Sequence, residues 1–202
     1  MEYTYLSLLF QLVAGILPLV FSFYKKHFFS ILTFYLVLSV VTNVVLTITS
    51  YLKIPNHSIY NIYLLASYLA LGLFYLKQGN RFLKKVVIVS FLLFFSDYTY
   101  EIINKSITIT AIQIANISYT VWSLTLFFIM LNNSEHIKNK NNFEFIKLIN
   151  ASVFIYNTTT YILFFQILNL IGKNSWFIHN YIEGSTKLLI AYAFWKLPKK
   201  QQ

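Results

Sequence analysis

The chain contains no cysteine and few charged residues, which make up 11% of its 202 positions. The absence of cysteine excludes disulfides, thiolate metal ligands and thiol nucleophiles. A soluble domain usually carries about 25% charged residues, more than twice the share found here. Hydrophobic residues instead reach 57% and aromatic residues 19%. Long apolar runs, rather than this overall composition, decide the class of protein.

Seven apolar stretches have about the 20 residues that a helix needs to cross a bilayer. The connections are short, the longest being the polar segment 132–142. The first stretch lacks a basic leader and a small-residue cleavage site, so we expect a retained span and not a signal peptide. The sequence predicts an all-α, polytopic seven-helix bundle, one transmembrane domain over residues 1–202 without a soluble domain. The predicted spans are Thr4–Tyr24, Phe28–Leu52, Ile59–Leu76, Phe82–Ile102, Ile107–Leu131, Phe143–Ile171 and Ser175–Trp195.

Lysine and arginine are distributed unevenly between the connections. Twelve of the sixteen follow spans 1, 3, 5 and 7, and three follow spans 2, 4 and 6. Because basic residues mark cytoplasmic connections, we expect the N-terminus outside and the C-terminus in the cytoplasm, in a bacterial inner (cytoplasmic) membrane. Contact with anionic headgroups explains the net charge of +10, so no direct nucleic-acid binding is expected. The partners considered are the lipid bilayer, a protein at the basic cytoplasmic connections and a second copy in a homo-oligomer.

Span 7 carries four polar residues on one side. At 100° per residue, His179, Asn180, Glu183 and Lys187 fall within an arc of about 100°. A charge at membrane depth costs roughly 2.5–3.5 kcal/mol on insertion scales unless it faces protein or water, so this side is predicted to face inward. Glu183 precedes Lys187 by four residues, the favourable order for an intrahelical ion pair. The small residues after Glu183, 184–186, would let a neighbouring backbone approach closely.

Spans 2 to 6 also carry polar residues at helical spacing, which predicts sides that face the bundle axis. With the expected orientation, several of these lie in the outer half and suggest a polar cavity that opens outward. Interhelical hydrogen bonding without a ligand explains the same pattern and stays open. The candidate ligand-binding residues are Asn43, Asn61, Asp97, Glu101, Gln113, Asn116, Asn157, His179, Asn180, Glu183 and Lys187.

Some of these residues could serve one of two chemistries, metal-dependent hydrolysis or retinal binding. Asp97, Glu101 and His179 are the candidates for catalysis in a membrane-embedded metal-dependent hydrolase. Such seven-span enzymes use several histidines, whereas only one lies within a span here, so no metal site is assigned. Glu183 and Lys187 resemble the acid and Schiff-base lysine of microbial rhodopsins in spacing. Span 3 lacks an acid and span 6 lacks tryptophan and proline, so retinal on Lys187 is not expected and no cofactor is assigned.

Spans 3 and 7 show a faint internal repeat at an offset of 119 residues. It aligns Asn61 with Asn180 and Lys77 with Lys196. Two three-span halves in the same orientation occur in small parallel-repeat carriers. Asparagines that face each other on these spans would suit a polar solute, so a small-solute transporter is one alternative.

Short motifs in two spans resemble the third and last spans of uncharacterised seven-span membrane proteins common in Bacteroidota. They are Asn61-Ile62-Tyr63, 176–180 and 193–196. The resemblance implies a bacterial inner-membrane location. Some of those proteins resemble the membrane part of signalling proteins, and others stand alone. Ala66-Ser67 occupies the place in span 3 where an acid is expected, which puts a shared ligand site in doubt.

The leading hypothesis is a non-enzymatic integral membrane module. It would sense a small polar or lipid ligand, or act as an accessory through a protein partner. The alternatives are a pore-forming or membrane-perturbing accessory of bacterial antiviral, CRISPR-associated immunity, the small-solute transporter and the metal-dependent hydrolase.

Overall fold

A computed structural model of the chain describes residues 2–25, 30–104, 109–132, 140–162 and 175–198. Within these ranges the chain forms seven helices and no strand, which confirms the predicted all-α class. The helices are α1 Glu2–Tyr24, α2 Ile31–Tyr51, α3 His57–Gln78, α4 Arg81–Asn104, α5 Ile109–Asn132, α6 Lys140–Ile162 and α7 Ser175–Lys196.

Two helices begin three residues away from the predicted start of the span, and the other starts agree within two residues. Helix α2 begins at Ile31 instead of Phe28, because the Ser30 side chain accepts a 3.0 Å hydrogen bond from the Thr33 amide and caps the helix there. Helix α6 begins three residues earlier than predicted, at Lys140, and is described to Ile162. The remainder of the predicted sixth span, 163–171, lies outside the described residues.

The helices form a closed ring in chain order. Each helix packs against the next one, α7 packs most extensively against α1, and α3 also contacts α5. Contacts between α1 and α7 advance together along both helices: Ser7 meets Asn180, and Gly15 meets Lys187. Helices α1 and α7 therefore run parallel, as an alternating up-and-down ring with an odd number of helices requires.

Five of the described helices, α1 to α5, are long and apolar enough to cross a membrane. Helices α6 and α7 have 23 and 22 residues, enough in length, but are not among the five. Asparagines and threonines lower the hydropathy of α6, and Glu183 and Lys187 lower that of α7. The membrane class is thus supported by five helices, and the crossing of α6 and α7 stays a prediction.

Large apolar side chains cover much of the outer surface of the ring. On α4, Ile88, Val89, Leu92 and Leu93 are 51–69% exposed. Soluble proteins rarely expose so many large apolar side chains together, whereas a surface that faces acyl chains does. The outward side of α4 therefore agrees with a membrane protein.

The interior between α3, α4 and α5 is aromatic. The Tyr68 ring stacks on Phe94 at 3.9 Å between centroids, and Trp122 lies 5.2 Å from Tyr68. The Trp122 indole is fully buried and donates a 3.2 Å hydrogen bond to the Ser90 hydroxyl. This cluster joins the three helices through large apolar contacts whose polar atoms have partners.

A buried polar link joins α3, α5 and α6. The Tyr75 hydroxyl donates a 2.8 Å hydrogen bond to Asn150 Oδ1, and Asn150 Nδ2 donates one of 2.9 Å to the Ser123 carbonyl. The Ser123 hydroxyl lies 2.7 Å from that of Tyr75. Because its polar groups satisfy one another, this link is best explained as helix packing.

Candidate functional site

A charged centre lies on α7 and is shared with α1 and α2. The Glu183 carboxylate pairs with Lys187, accepts a hydrogen bond from Gln11 Nε2 and accepts a second, of 2.9 Å, from Asn43 Nδ2. His179 Nε2 lies 3.6 Å from Glu183 Oε2. Glu183 and Lys187 are only 7% and 6% exposed. The predicted ion pair and the predicted inward-facing side of α7 are both confirmed. These five side chains are called the Glu183 centre below.

Helix α1 supplies two polar partners that the sequence analysis missed. Gln11 donates to Glu183, and Ser7 accepts a 3.2 Å hydrogen bond from Asn180 Nδ2. The hydrogen bond from Asn180 thus goes to α1, whereas the repeat predicted that Asn180 faces Asn61 of α3. A signal was present, since Ser7, Gln11 and Gly15 are spaced four residues apart and fall on one side of a helix.

Two glycines bring α1 and α7 together. A Cβ atom on Gly184 would lie 2.5 Å from Cε1 of Phe10, so the Phe10 ring occupies the space that a side chain would need. The sequence predicted that a neighbouring backbone approaches here, and the structure instead places the Phe10 side chain in this space. On the other helix, a Cβ on Gly15 would lie 3.5 Å from Lys187 Nζ. The Lys187 side chain therefore crosses α1 at a residue without a side chain.

Tyrosines from α2 and from two further helices, α3 and α6, lie within electrostatic range of the Glu183 carboxylate. They are Tyr35 of α2, Tyr60 and Tyr63 of α3, and Tyr156 of α6, and all four are half-buried. The Tyr35 and Tyr63 hydroxyls lie close enough to interact. The Tyr156 ring lies 5.8 Å from the His179 ring. These four residues are called the tyrosine group, and the sequence analysis did not select them.

The tyrosine group could not be picked out by counting tyrosines, because the chain has sixteen. Tyrosine is also common where helices meet lipid headgroups. One signal was available in α2, where Tyr35 and Ser39 are four residues apart and therefore lie on one side of the helix. In the structure Ser39 lies beside Tyr63 of α3.

Glu101 has a capping role in the structure. Its Oε1 accepts a 3.1 Å hydrogen bond from the Thr110 amide, and its Oε2 accepts one of 3.0 Å from the Ala111 amide. The side chain is 1% exposed and satisfies two amides that have no partner within the first turn of α5. Capping of α5 explains why a buried acid occurs in α4, and no ligand is needed for that explanation. The sequence predicted a catalytic or ligand-binding role for Glu101 and not this capping role.

The other candidates are distributed over the ring. Asn157 Nδ2 donates to the Val153 carbonyl of its own helix at 2.7 Å, and the Asn61 carbonyl accepts a 3.0 Å hydrogen bond from Tyr98. Asn116 is buried, and Asp97 and Gln113 are half-buried. Of the predicted set, the structure thus brings Asn43, His179, Glu183 and Lys187 together, with Asn180 one turn away.

Among the residues that the structure describes, no three His, Asp or Glu side chains are grouped so that they could hold a metal ion. Glu101 and His179 take part in separate interactions, one with the backbone of α5 and the other with Glu183. The described geometry therefore offers the hydrolase hypothesis no shared centre for its candidate residues.

These observations define an all-helical protein with five helices apolar enough to cross a membrane and a buried charged centre between α1, α2 and α7. No protein family, no curated protein and no solved structure matches the chain.

Proposed function

We propose that this protein is a seven-span, non-enzymatic module of the bacterial inner membrane that senses a small polar ligand in its interior. The observation that carries the proposal is the convergence of the Glu183 centre and the tyrosine group. Three helices, α1, α2 and α7, place polar side chains in contact with one carboxylate, and α3 and α6 bring tyrosines within electrostatic range of it. A ligand held there would touch both ends of the chain and the helices between them.

Burial of the ion pair argues for a use beyond stability. Replacing a buried ion pair by well-packed apolar residues is often neutral or stabilising, so stability alone gives little reason to keep one. Ionisable residues within membrane segments are functional by default for the same reason. The tyrosine group also keeps accessible surface although it lies near the buried Glu183, which favours a space that small molecules enter.

Ring packing adds a second argument. Helices α2 and α3 pack on each other, as do α6 and α7, but neither α2 nor α3 packs extensively on α6 or α7. Side chains such as Asn43 and Glu183 span the distance between these pairs. Polar side chains, and not extensive helix packing, therefore join these pairs, and positions between helices of a bundle are common places for ligand sites.

The membrane topology is part of the same proposal. Exposed Lys77, Arg81, Lys84 and Lys85 lie at one end of the ring, where α3 ends and α4 begins. Because α1, α3 and α7 all run in the same direction in an alternating ring, Lys196 lies at that end too. The positive-inside rule makes this the cytoplasmic end, where a partner protein would read the state of the ligand site.

Single-cysteine labelling tests the topology, since the chain has no cysteine of its own. In intact cells a membrane-impermeant maleimide should label Ser58→Cys and Lys173→Cys, and should label Lys84→Cys only after permeabilisation. Ser58 and Lys84 are exposed, and Lys173 lies in the predicted connection between spans 6 and 7. Lys173 decides the number of spans because it follows span 6 and precedes span 7. If it reacted only after permeabilisation, α6 and α7 would not cross, and the seven-span proposal would fail.

Ligand binding is tested by thermal unfolding of the protein in lipid nanodiscs. The compounds are monosaccharides, amino acids, nucleosides, choline and lysophospholipids. A ligand present at about 100 times its Kd stabilises the folded state by about 2.7 kcal/mol, so we expect one class to raise the Tm saturably. The rise should vanish in the Glu183→Leu/Lys187→Met double variant. If no class produced such a shift, the sensing proposal would be abandoned.

A further inference from the structure

Four basic side chains lie close together in the chain where α3 ends and α4 begins. They are Lys77, Arg81, Lys84 and Lys85, and all four are exposed. They are called the basic turn below. Helices α3 and α4 are both long and apolar enough to cross a membrane, and a turn between two such helices lies at the depth of the lipid headgroups.

The described carboxylates lie away from the basic turn. Within the described ranges none of them forms an ion pair with it. Asp97 and Glu101 belong to α4 itself, but they follow Lys85 by at least 12 residues, which is about 18 Å along a helix. Glu144 of α6 lies within electrostatic range of Lys196 of α7. The positive charge of the basic turn is therefore available to an anion that is not part of the described chain.

Five exposed residues of α4 share one side of the helix. At 100° per residue they fall within an arc of about 100°, and they are Arg81, Lys84, Lys85, Ile88 and Leu92. Ile88 and Leu92 are 51% and 69% exposed. The distance along the helix from Lys85 to Leu92 is about 10 Å, which is within the roughly 15 Å of hydrocarbon in one leaflet. One side of α4 thus carries cations at headgroup depth and an apolar strip at the depth of the acyl chains.

A phospholipid with a net negative charge has its parts in the same order. Its phosphate is an anion to which a guanidinium donates two parallel hydrogen bonds and an ammonium adds a compact charge. Its acyl chains extend from the headgroup toward the membrane centre. A zwitterionic lipid cancels the phosphate charge with its own cation, and a soluble anion has no part that would cover Ile88 and Leu92. The order of cations and apolar surface therefore favours an anionic phospholipid over both.

We propose that the basic turn and the outer side of α4 form a binding site for an anionic phospholipid. The basic turn contacts the headgroup phosphate, and an acyl chain lies along Ile88 and Leu92. The site is separate from the Glu183 centre, which α1, α2 and α7 form. The inference goes beyond the proposed function, because it depends on the crossing of α3 and α4 and not on what the interior of the ring binds.

Native mass spectrometry of the protein in detergent micelles tests the proposal, because it counts bound lipids by mass. The titrants are dioleoyl phosphatidylglycerol, dioleoyl phosphatidylcholine, glycerol phosphate and a hexaglutamate peptide. The two lipids have the same acyl chains and differ in net charge. We expect phosphatidylglycerol to bind saturably and more than about tenfold more tightly than phosphatidylcholine. The two soluble anions should not bind at the same concentrations.

The triple variant Arg81→Gln/Lys84→Gln/Lys85→Gln removes most of the charge of the basic turn. Each cation beside an anionic lipid contributes about fivefold to the affinity. The affinity for phosphatidylglycerol should therefore fall by more than about tenfold and approach that for phosphatidylcholine. Circular dichroism verifies that the variant is folded, as expected for substitutions at exposed positions.

A second triple variant, Lys53→Gln/Lys147→Gln/Lys196→Gln, is the matched control. It removes three exposed lysines outside the basic turn. Both variants lose three positive charges from a net charge of +10, so they differ only in where the charge is lost. We expect the control to keep its affinity for phosphatidylglycerol within about twofold, because the cations beside the headgroup remain.

Three results would overturn this inference. Equal affinities for the two lipids would show that the protein does not recognise the lipid charge. Equal losses in the two triple variants would show a general attraction to anionic lipid and no site on α4. Binding of glycerol phosphate or hexaglutamate as tight as that of phosphatidylglycerol would make a soluble anion or an acidic protein segment the partner. None of these results decides the proposed function, which the thermal measurement tests separately.

Discussion

Lys187→Met is expected to destabilise the folded protein by about 3–5 kcal/mol. The substitution keeps most of the side-chain volume but leaves Glu183 buried without its cation, and breaking a buried ion pair from one side costs this much. Gln11 and Asn43 would still donate hydrogen bonds to the carboxylate, but neither carries a charge. The measurement is the free energy of unfolding in mixed micelles titrated with denaturing detergent.

The double variant Glu183→Leu/Lys187→Met isolates the cause. It removes both charges, so we expect it to recover most of the stability that Lys187→Met loses, although Gln11 and Asn43 lose an acceptor. Lys196→Met is the matched control, because Lys196 lies on the same helix and is exposed; its effect should stay within about 0.5 kcal/mol. If the double variant were as unstable as Lys187→Met, the unpaired charge of Glu183 would not be the cause of the destabilisation.

Gly184→Ala is expected to destabilise the packing of α1 on α7 by about 1–3 kcal/mol, the usual cost of overpacking. The added Cβ would lie 2.5 Å from the Phe10 ring, which is too close for any real contact. The ring also packs on that of Tyr181, 5.4 Å away, so displacing it disturbs a second contact. Thermal unfolding in nanodiscs measures the loss.

Two further variants test whether the Phe10 contact is the reason. Phe10→Leu should relieve the clash, so that Gly184→Ala costs less when Phe10 is already leucine. Gly15→Ala changes a glycine in the same helix pair, but its Cβ would lie 3.1 Å from Val40 and 3.5 Å from Lys187. We expect it to have a smaller effect. If Gly184→Ala and Gly15→Ala lowered the stability equally, the clash with Phe10 would not be the reason for the effect of Gly184→Ala.

The features of this chain that depend on local spacing could be predicted from its sequence. Lengths of apolar runs located all seven helices, because a helix rises 1.5 Å per residue and a bilayer sets the length required. The Glu183–Lys187 pair followed from a separation of four residues, which places two side chains on neighbouring turns. The inward direction of Glu183 followed from the cost of exposing a charge to lipid.

Helix ends and crossings were less certain for reasons that the structure makes plain. The hydrogen bond from the Thr33 amide to the Ser30 side chain sets the start of α2 at Ile31. In the sequence the apolar residues Phe28 and Phe29 precede it, so the apolar run alone predicts an earlier start. Apolar content supports a membrane crossing for α1 to α5 alone. Several polar residues of α6 and α7 are buried against neighbouring helices, among them Asn150, Asn157, Glu183 and Lys187. A hydropathy measure counts them as though they faced lipid.

The partners of each polar side chain depended on tertiary structure. Glu101 and Glu183 are both acids within apolar helices, yet one caps α5 and the other holds α1 and α2 to α7. Nothing in the residues around them distinguishes these roles. The donors to Glu183 come from positions 172 and 140 residues away along the chain.

The sequence by itself therefore determined the helical class, the number of helices and the side of α7 that carries charge, since these follow from lengths and spacings within one segment. The tertiary structure alone decided that Gln11 contacts Glu183 and that the tyrosine group lies within electrostatic range of it. The physical reason is that helical periodicity establishes which residues share a side, whereas the packing of the whole ring establishes which helix that side faces.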